Sequence, residues 1–122
     1  MSATFYESVH LLGIFMTLSA LGGIAFHTLS GGTKENFFSR KKAGALHGIG
    51  LVLVLIAGFG MMARMHLSFS ENLWLWGKLT VWLTLGAYPV FFYKKASLAK
   101  PLFFGLFAVL ITAIYLVQYK PF

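Results

Sequence analysis

The chain has 122 residues, of which 58% are hydrophobic and 11% charged, and it contains no cysteine. A soluble domain of this length could not bury so much apolar surface, and without cysteine the chain has no disulfides, thiolate metal sites or thiol catalysis. The formal net charge of +7 would suit nucleic acid, but the basic residues lie between apolar runs, where membrane topology explains them. No nucleic-acid partner is therefore predicted.

Four apolar runs are each long enough to cross a bilayer, since a spanning helix needs roughly 20 mostly apolar residues. The first run lacks the basic leader of a signal peptide and is predicted to be a retained span. The second contains five glycines, with a histidine inside one end. The runs cover residues 5–29, 43–65, 73–93 and 101–119. We therefore predict one all-α transmembrane domain over residues 1–122, with the lipid bilayer as its surroundings.

The connectors predict how these runs are threaded. The first connector, 30–42, and the third, 94–100, hold seven of the ten Lys and Arg residues. Positive charge in short loops marks the cytoplasmic side, so both connectors are expected inside the cell. Short connectors also favour antiparallel neighbours. The prediction is an antiparallel up-and-down four-helix bundle in a bacterial inner membrane, with both termini on the outer, periplasmic side.

Small residues are frequent in the first two runs, and Gly44 and Gly48 have the spacing that lets membrane helices approach closely. One interpretation is tight packing, within the bundle or between protomers of a homo-oligomer. The other is a flat slot between glycine faces that would admit a macrocycle.

Four histidines lie within the runs or at their ends, where ionisable groups are costly and are default candidates for function. The predicted threading places His10 and His66 near the outer face, and His27 and His47 near the inner face. Histidines of neighbouring helices at one depth are typical of membrane b-type cytochromes, whose haem iron is held by imidazole nitrogens. His27 and His47 are the preferred pair for haem b. The alternative is that each histidine is an ordinary hydrogen-bonded residue of the interface.

Lys78 lies one to two turns inside the third run, with Trp74 and Trp82 on the same helical face. One interpretation is a snorkelling lysine supported by cation–π contacts with these two rings. The other is a buried outer network that could bind a haem propionate, relay protons or recognise an anionic ligand. The partners of Lys78 in that network would be Glu7, His10 and Arg64, with Gln118 as a further candidate.

Soft metal ligands follow at the end of the second run. Met62, Met65 and His66 have the spacing i, i+3 and i+4, so on a continuous helix their side chains would converge. Thioether and imidazole groups suit Cu(I), and a copper site is one interpretation. The other is that these methionines simply fill gaps in apolar packing.

Pro89 is expected to bend the third helix, because it lacks the N–H that would bond the carbonyl of Leu85. No nucleophile with a base, no HExxH motif, no phosphate-binding loop and no paired carboxylates occur in the sequence. The chain is therefore not predicted to be an enzyme.

Two stretches and three single residues carry a family resemblance. The run GIGLVLVLIAGFG follows His47, the run WLWGKLTVWL contains Lys78, and His10 stands early in the first span. In these features the chain resembles small four-span bacterial inner-membrane proteins of the SirB-type family and the CopD-type copper-resistance domain. The resemblance implies an inner-membrane protein associated with haem or copper.

Three functions follow as hypotheses. The leading one is a haem b protein that serves as a small electron-transfer or membrane-anchor subunit of a membrane complex. The second is a cofactor-free structural, assembly or conducting bundle that oligomerises through its glycine-rich faces. The third is copper passage at the outer methionine and histidine cluster.

Overall fold

The computed structural model describes residues 2–120, and this part of the chain is all-helical, with no strand. It contains four long helices, and a short 3-10 turn, Ala96–Leu98, precedes the last of them. The helices are α1 (Ala3–Leu29), α2 (Arg40–Arg64), α3 (Trp74–Lys94) and α4 (Ala99–Tyr119). Each predicted run matches one helix, so the prediction of helical class and element order is confirmed.

The helix ends differ slightly from the predicted ones for local reasons. α1 begins two residues early because the Ser2 hydroxyl accepts a hydrogen bond from the Phe5 N–H (3.1 Å) and caps the first turn. α2 begins at Arg40, three residues before the predicted run. Arginine and lysine are good helix formers, so a basic turn can extend an apolar helix beyond its apolar part.

Three segments are long and apolar enough to cross a membrane: Ala3–Leu29, Arg40–Arg64 and Ala96–Tyr119. α3 is not among them because Lys78, Pro89 and several Trp and Tyr residues lower its mean hydropathy. The membrane class is thus supported by three helices, and the fourth crossing stays a prediction.

The closest helix contact in the described chain joins α1 to α2. A Cβ atom added at Gly50 would lie 2.5 Å from the Thr17 hydroxyl oxygen and 2.8 Å from the carbonyl oxygen of Gly13. A Cβ added at Gly13 would lie 2.7 Å from the carbonyl oxygen of Gly50. Backbone therefore meets backbone here, and a side chain larger than hydrogen has no space.

Gly44 and Gly48 do not form a close helix contact within the described bundle, although one interpretation of their spacing was packing there. A Cβ added at either position would meet nothing within 4 Å. The prediction was wrong for this pair, because the turn of α2 that faces α1 carries Gly50 instead. Contact with another protomer through Gly44 and Gly48 stays a prediction.

Contacts at their ends show that consecutive helices run antiparallel. Tyr6, near the start of α1, packs against Gly60 near the end of α2, and Leu116 near the end of α4 packs against Gly77 near the start of α3. We call the end where α1 begins and α4 ends the terminal end. The opposite end is the lysine-rich end, which carries the connectors around Lys34, Lys41, Lys42, Lys94, Lys95 and Lys100.

Two apolar clusters occupy different levels of the molecule. The larger lies toward the lysine-rich end and is built from α1, α3 and α4; its fully buried members include Leu21, Ile24 and Phe92. The smaller lies at the terminal end around Trp74, Leu75 and Leu116. A level with polar side chains, those of His10, Thr17, Lys78 and Trp82, separates the two clusters.

Candidate functional site

A small cavity, here called the central cavity, is lined by side chains of all four helices between the two apolar clusters. Its volume is about 110 Å³. Most of its wall is aliphatic, and its polar side chains are those of His10, Thr17, Lys78 and Trp82. A polar group in such surroundings is costly unless it is hydrogen-bonded, so the partner of each one decides what the cavity can do.

The His10 ring is held by the helix opposite. Its Nδ1 lies 3.0 Å from the carbonyl oxygen of Val54, so Nδ1–H donates and Nε2 carries the lone pair. Lys78 and Glu7 both interact electrostatically with the ring. A histidine oriented through one nitrogen by a backbone carbonyl has its other nitrogen available for a ligand or a proton.

The Lys78 ammonium has no hydrogen-bond acceptor and no carboxylate partner among residues 2–120. The predicted cation–π contacts are not its partners either: Trp82 Nε1–H donates to the carbonyl oxygen of Leu51 (2.9 Å), and the ammonium of Lys120 lies 5.4 Å from the centre of the Trp74 ring. Lys120 also interacts electrostatically with Lys78. Positive charge is therefore concentrated beside the central cavity.

His47 is 6% exposed and forms a contact between α2 and α3. Its Nε2–H donates to the carbonyl oxygen of Leu85 on α3 (3.0 Å). This is the carbonyl that lacks an intrahelical donor because residue 89 is proline. The sequence predicted both the free carbonyl and the intramembrane histidine, but not that one satisfies the other.

His27 turns toward the first connector. Its Nε2–H is shared between the carbonyl oxygen of Thr33 (2.8 Å) and Oδ1 of Asn36 (2.9 Å), and its ring stacks on Phe37 with centroids 4.4 Å apart. Asn36 Oδ1 also accepts the Thr33 N–H (2.7 Å), which fixes this atom as the oxygen. The histidine therefore holds the connector in shape.

This geometry does not fit the predicted haem pair. Nε2 of His27 and Nε2 of His47 are both donors to protein acceptors, and within the described residues the two rings share neither a hydrogen bond nor a ring contact. The central cavity, at about 110 Å³, is also well below the roughly 300–1,000 Å³ of pockets that hold drug-sized ligands. Haem b binding through this pair stays a prediction of the sequence.

The soft-ligand cluster does not have the helical geometry on which the copper interpretation depended. α2 ends at Arg64, and His66 has a φ of +55°, so the i, i+3, i+4 spacing is broken before His66. Met62 packs against the apolar cluster at the terminal end, while Met65 is 53% exposed. No group of three or more His, Asp or Glu side chains in the described part of the chain could hold a metal ion. Copper binding stays a prediction.

Two members of the predicted outer network line the central cavity and two do not. His10 and Lys78 line the central cavity, whereas Glu7 and Arg64 are exposed and do not line it. Sequence reasoning missed Thr17, whose hydroxyl donates to the Gly13 carbonyl oxygen (2.9 Å) beside the cavity. A hydroxyl within an apolar span is the signal that could have indicated it.

Fold and site together define a class: a small helical protein with membrane-length apolar helices and a histidine–lysine pair in an apolar cavity. Comparison of the chain with protein-family models, with curated proteins and with solved structures found no match.

Proposed function

We propose that the protein is a four-span protein of the bacterial inner membrane that binds a carboxylate-bearing apolar molecule in its central cavity, through Lys78 and His10. It is not an enzyme in this proposal, and both its termini lie outside the cell. The single observation that carries the proposal is that Lys78 lines this mostly aliphatic cavity without a carboxylate partner among the described residues.

Large apolar side chains on the outer surface support the membrane location. Each of the four helices exposes one to a similar extent: Phe15 (66%), Ile56 (60%), Leu83 (60%) and Ile111 (65%). Leu83 lies on α3, whose 21 residues extend about 32 Å and match the hydrocarbon thickness of a bilayer. The polar side chains of α3 that lower its hydropathy include Lys78 and Trp82, which face the cavity.

Cysteine labelling tests which side of the membrane each connector faces. A cysteine introduced at Ser97 is expected to react only with a membrane-permeant maleimide in intact cells, because the third connector is placed in the cytoplasm. A cysteine at Ser70, in the second connector, is expected to react with an impermeant maleimide as well. The native chain has no cysteine, so each variant carries one labelling site. Reversed labelling would contradict the proposed orientation.

The charge on Lys78 argues for an anionic ligand. Lys78 lines a mostly aliphatic cavity, where an accompanying anion stabilises an ammonium, and Lys120 adds a second positive charge nearby. His10 can complete the site when its Nε2 takes up a proton, because that N–H can then donate a second hydrogen bond to the carboxylate. A carboxylate would receive hydrogen bonds from Lys78, and its short apolar chain would contact Leu51, Val81 and Leu110.

The larger apolar cluster closes the lysine-rich half of the molecule. This closure favours a protein that binds a ligand over one that conducts ions. Leu21 and Phe92 are each 0% exposed, and Tyr88 donates its hydroxyl to the carbonyl oxygen of Leu102 (3.0 Å). In the described helices, the titratable side chains at that cluster are two phenols, that of Tyr88 within it and that of Tyr93 packed against it. An ion leaving the central cavity in this direction would have to enter packed apolar side chains.

Trp82 lines the cavity, so its fluorescence can be used to measure ligand binding there. A short bromoalkanoate is expected to quench the fluorescence of the purified protein saturably, whereas the bromoalkanol of equal length is expected to quench much less. A hydrogen bond to a charged group contributes about 1.5–3 kcal/mol, so Lys78→Met is expected to raise the Kd of the carboxylate about tenfold or more.

Two controls make this experiment specific. Lys100→Met removes one positive charge from the lysine-rich end and is expected to leave the Kd unchanged. Trp82→Phe is expected to remove the saturable part of the quenching, which assigns the signal to the cavity. Equal quenching by the alcohol and the carboxylate, or an unchanged Kd in Lys78→Met, would refute the proposed site.

A further inference from the structure

A second and larger cavity lies at the lysine-rich end, and we call it the connector cavity. Its volume is about 500 Å³. One wall comes from the first connector and includes Thr33 and Lys34, and the other comes from the end of α3 and includes Val90 and Lys94. None of these residues belongs to the central cavity, so the two sites are separate.

The polar wall of the connector cavity is held in shape by hydrogen bonds. His27 donates to the carbonyl oxygen of Thr33 and to Asn36, and the Asn36 N–H in turn donates to the Thr33 hydroxyl (3.3 Å). The His27 ring also fills the space against Gly32 where a side chain would otherwise stand. The connector therefore presents its lysine from a defined backbone, and the ligand does not have to order it.

The charges around the connector cavity favour an anion. Lys34 and Lys94 line it together with Glu35, which leaves one net positive charge. Arg40 adds another, since its Nη1 donates to the carbonyl oxygen of Lys34 (3.4 Å) and its guanidinium interacts electrostatically with Tyr93. The Lys34 ammonium lies 5.8 Å from the centre of the Tyr93 ring.

The surroundings place this cavity at the membrane interface. Phe38, on the same connector, is 97% exposed, and an exposed aromatic side chain beside lysines is typical of a segment lying on a lipid surface. Val90 is 49% exposed and contributes an apolar wall. A ligand with an anionic head and an apolar body would contact both walls.

We propose that the connector cavity binds a phosphate group, carried by the headgroup of an anionic phospholipid, between Lys34 and Lys94. Basic pockets between helices on the cytoplasmic side are suited to such headgroups. The inference uses the membrane placement proposed above but not the carboxylate site, so failure at one cavity leaves the other testable.

Native mass spectrometry of the full chain, equilibrated with phosphatidylglycerol or phosphatidylcholine in mixed micelles, tests the proposal. Phosphatidylglycerol is expected to stay bound and phosphatidylcholine to be lost. Each basic residue near a phosphate contributes a few-fold to binding, so Lys34→Gln/Lys94→Gln is expected to reduce bound phosphatidylglycerol about tenfold.

The matched control is Lys41→Gln/Lys42→Gln, which removes the same charge from exposed positions at the start of α2. It is expected to retain the lipid, and the melting temperature of both variants checks that each is folded. Equal loss in both variants, or equal retention of the two lipids, would overturn the proposal. Inorganic phosphate is the third probe: if it binds to the native protein but not to Lys34→Gln/Lys94→Gln and no lipid is retained, the phosphate site stands but its source is soluble.

Discussion

Gly50→Val is expected to lower the free energy of unfolding by about 3 kcal/mol or more, because the added side chain meets the backbone of α1 as well as the Thr17 side chain. The Cβ alone would lie 2.5 Å from the Thr17 hydroxyl and 2.8 Å from the Gly13 carbonyl oxygen. Relief requires α1 and α2 to separate. Separation would also weaken the hydrogen bond from His10 to Val54 (3.0 Å), about one turn further along α2 from Gly50.

The matched control is Gly48→Val, on the same helix and in the same apolar run. A Cβ at Gly48 meets nothing within 4 Å, and glycine is the poorer helix former of the two, so the change is expected to stay within about 1 kcal/mol of the native protein. Unfolding by sodium dodecyl sulfate in mixed micelles, followed by circular dichroism, measures both variants. Similar stability of the two would show that the close approach of α1 and α2 does not hold the fold together.

His47→Ala is expected to cost about 2 kcal/mol in the same assay, because it leaves the Leu85 carbonyl without a donor. The histidine is 6% exposed and its Nε2 lies 3.0 Å from that oxygen. Pro89 provides no N–H to replace it. In a bilayer, a backbone carbonyl without a partner cannot turn to water instead.

A double-mutant cycle with Pro89→Ala separates this cause from lost packing. Alanine at residue 89 supplies an N–H to the Leu85 carbonyl, so His47→Ala is expected to cost about 1 kcal/mol less on that background than on the native one. His66→Ala, at an exposed position in the second connector, is the control and is expected to change stability by less than about 0.5 kcal/mol. An identical cost of His47→Ala on both backgrounds would contradict the proposed coupling.

The histidines of α1 and α2 differ in the groups that their ring nitrogens contact. His47 and His27 satisfy backbone and connector groups of the protein itself. His10 also bonds a backbone carbonyl, but its second nitrogen and the neighbouring Lys78 lie at a cavity. The position of a histidine within a span was therefore a poor guide to its role, and the partner of each ring nitrogen was a better one.

The sequence by itself determined the helical class, the number and order of the helices and their ends to within three residues. It could do so because apolar runs of membrane length, separated by charged connectors, are a local property of the chain. It also indicated Lys78 and His10 as candidates, since charged or titratable groups inside such runs are costly wherever the helices pack.

Only the tertiary structure decided which of these groups meet. Gly50, and not Gly48, contacts α1, and His47 donates to the Leu85 carbonyl, because of how each helix is rotated about its axis. His66 lies outside α2 because of where that helix ends. Every long helix here is apolar nearly all round, so the pattern along the chain does not select one inward face. Close backbone packing and the satisfaction of individual carbonyls select it instead, and both exist only when the helices are assembled.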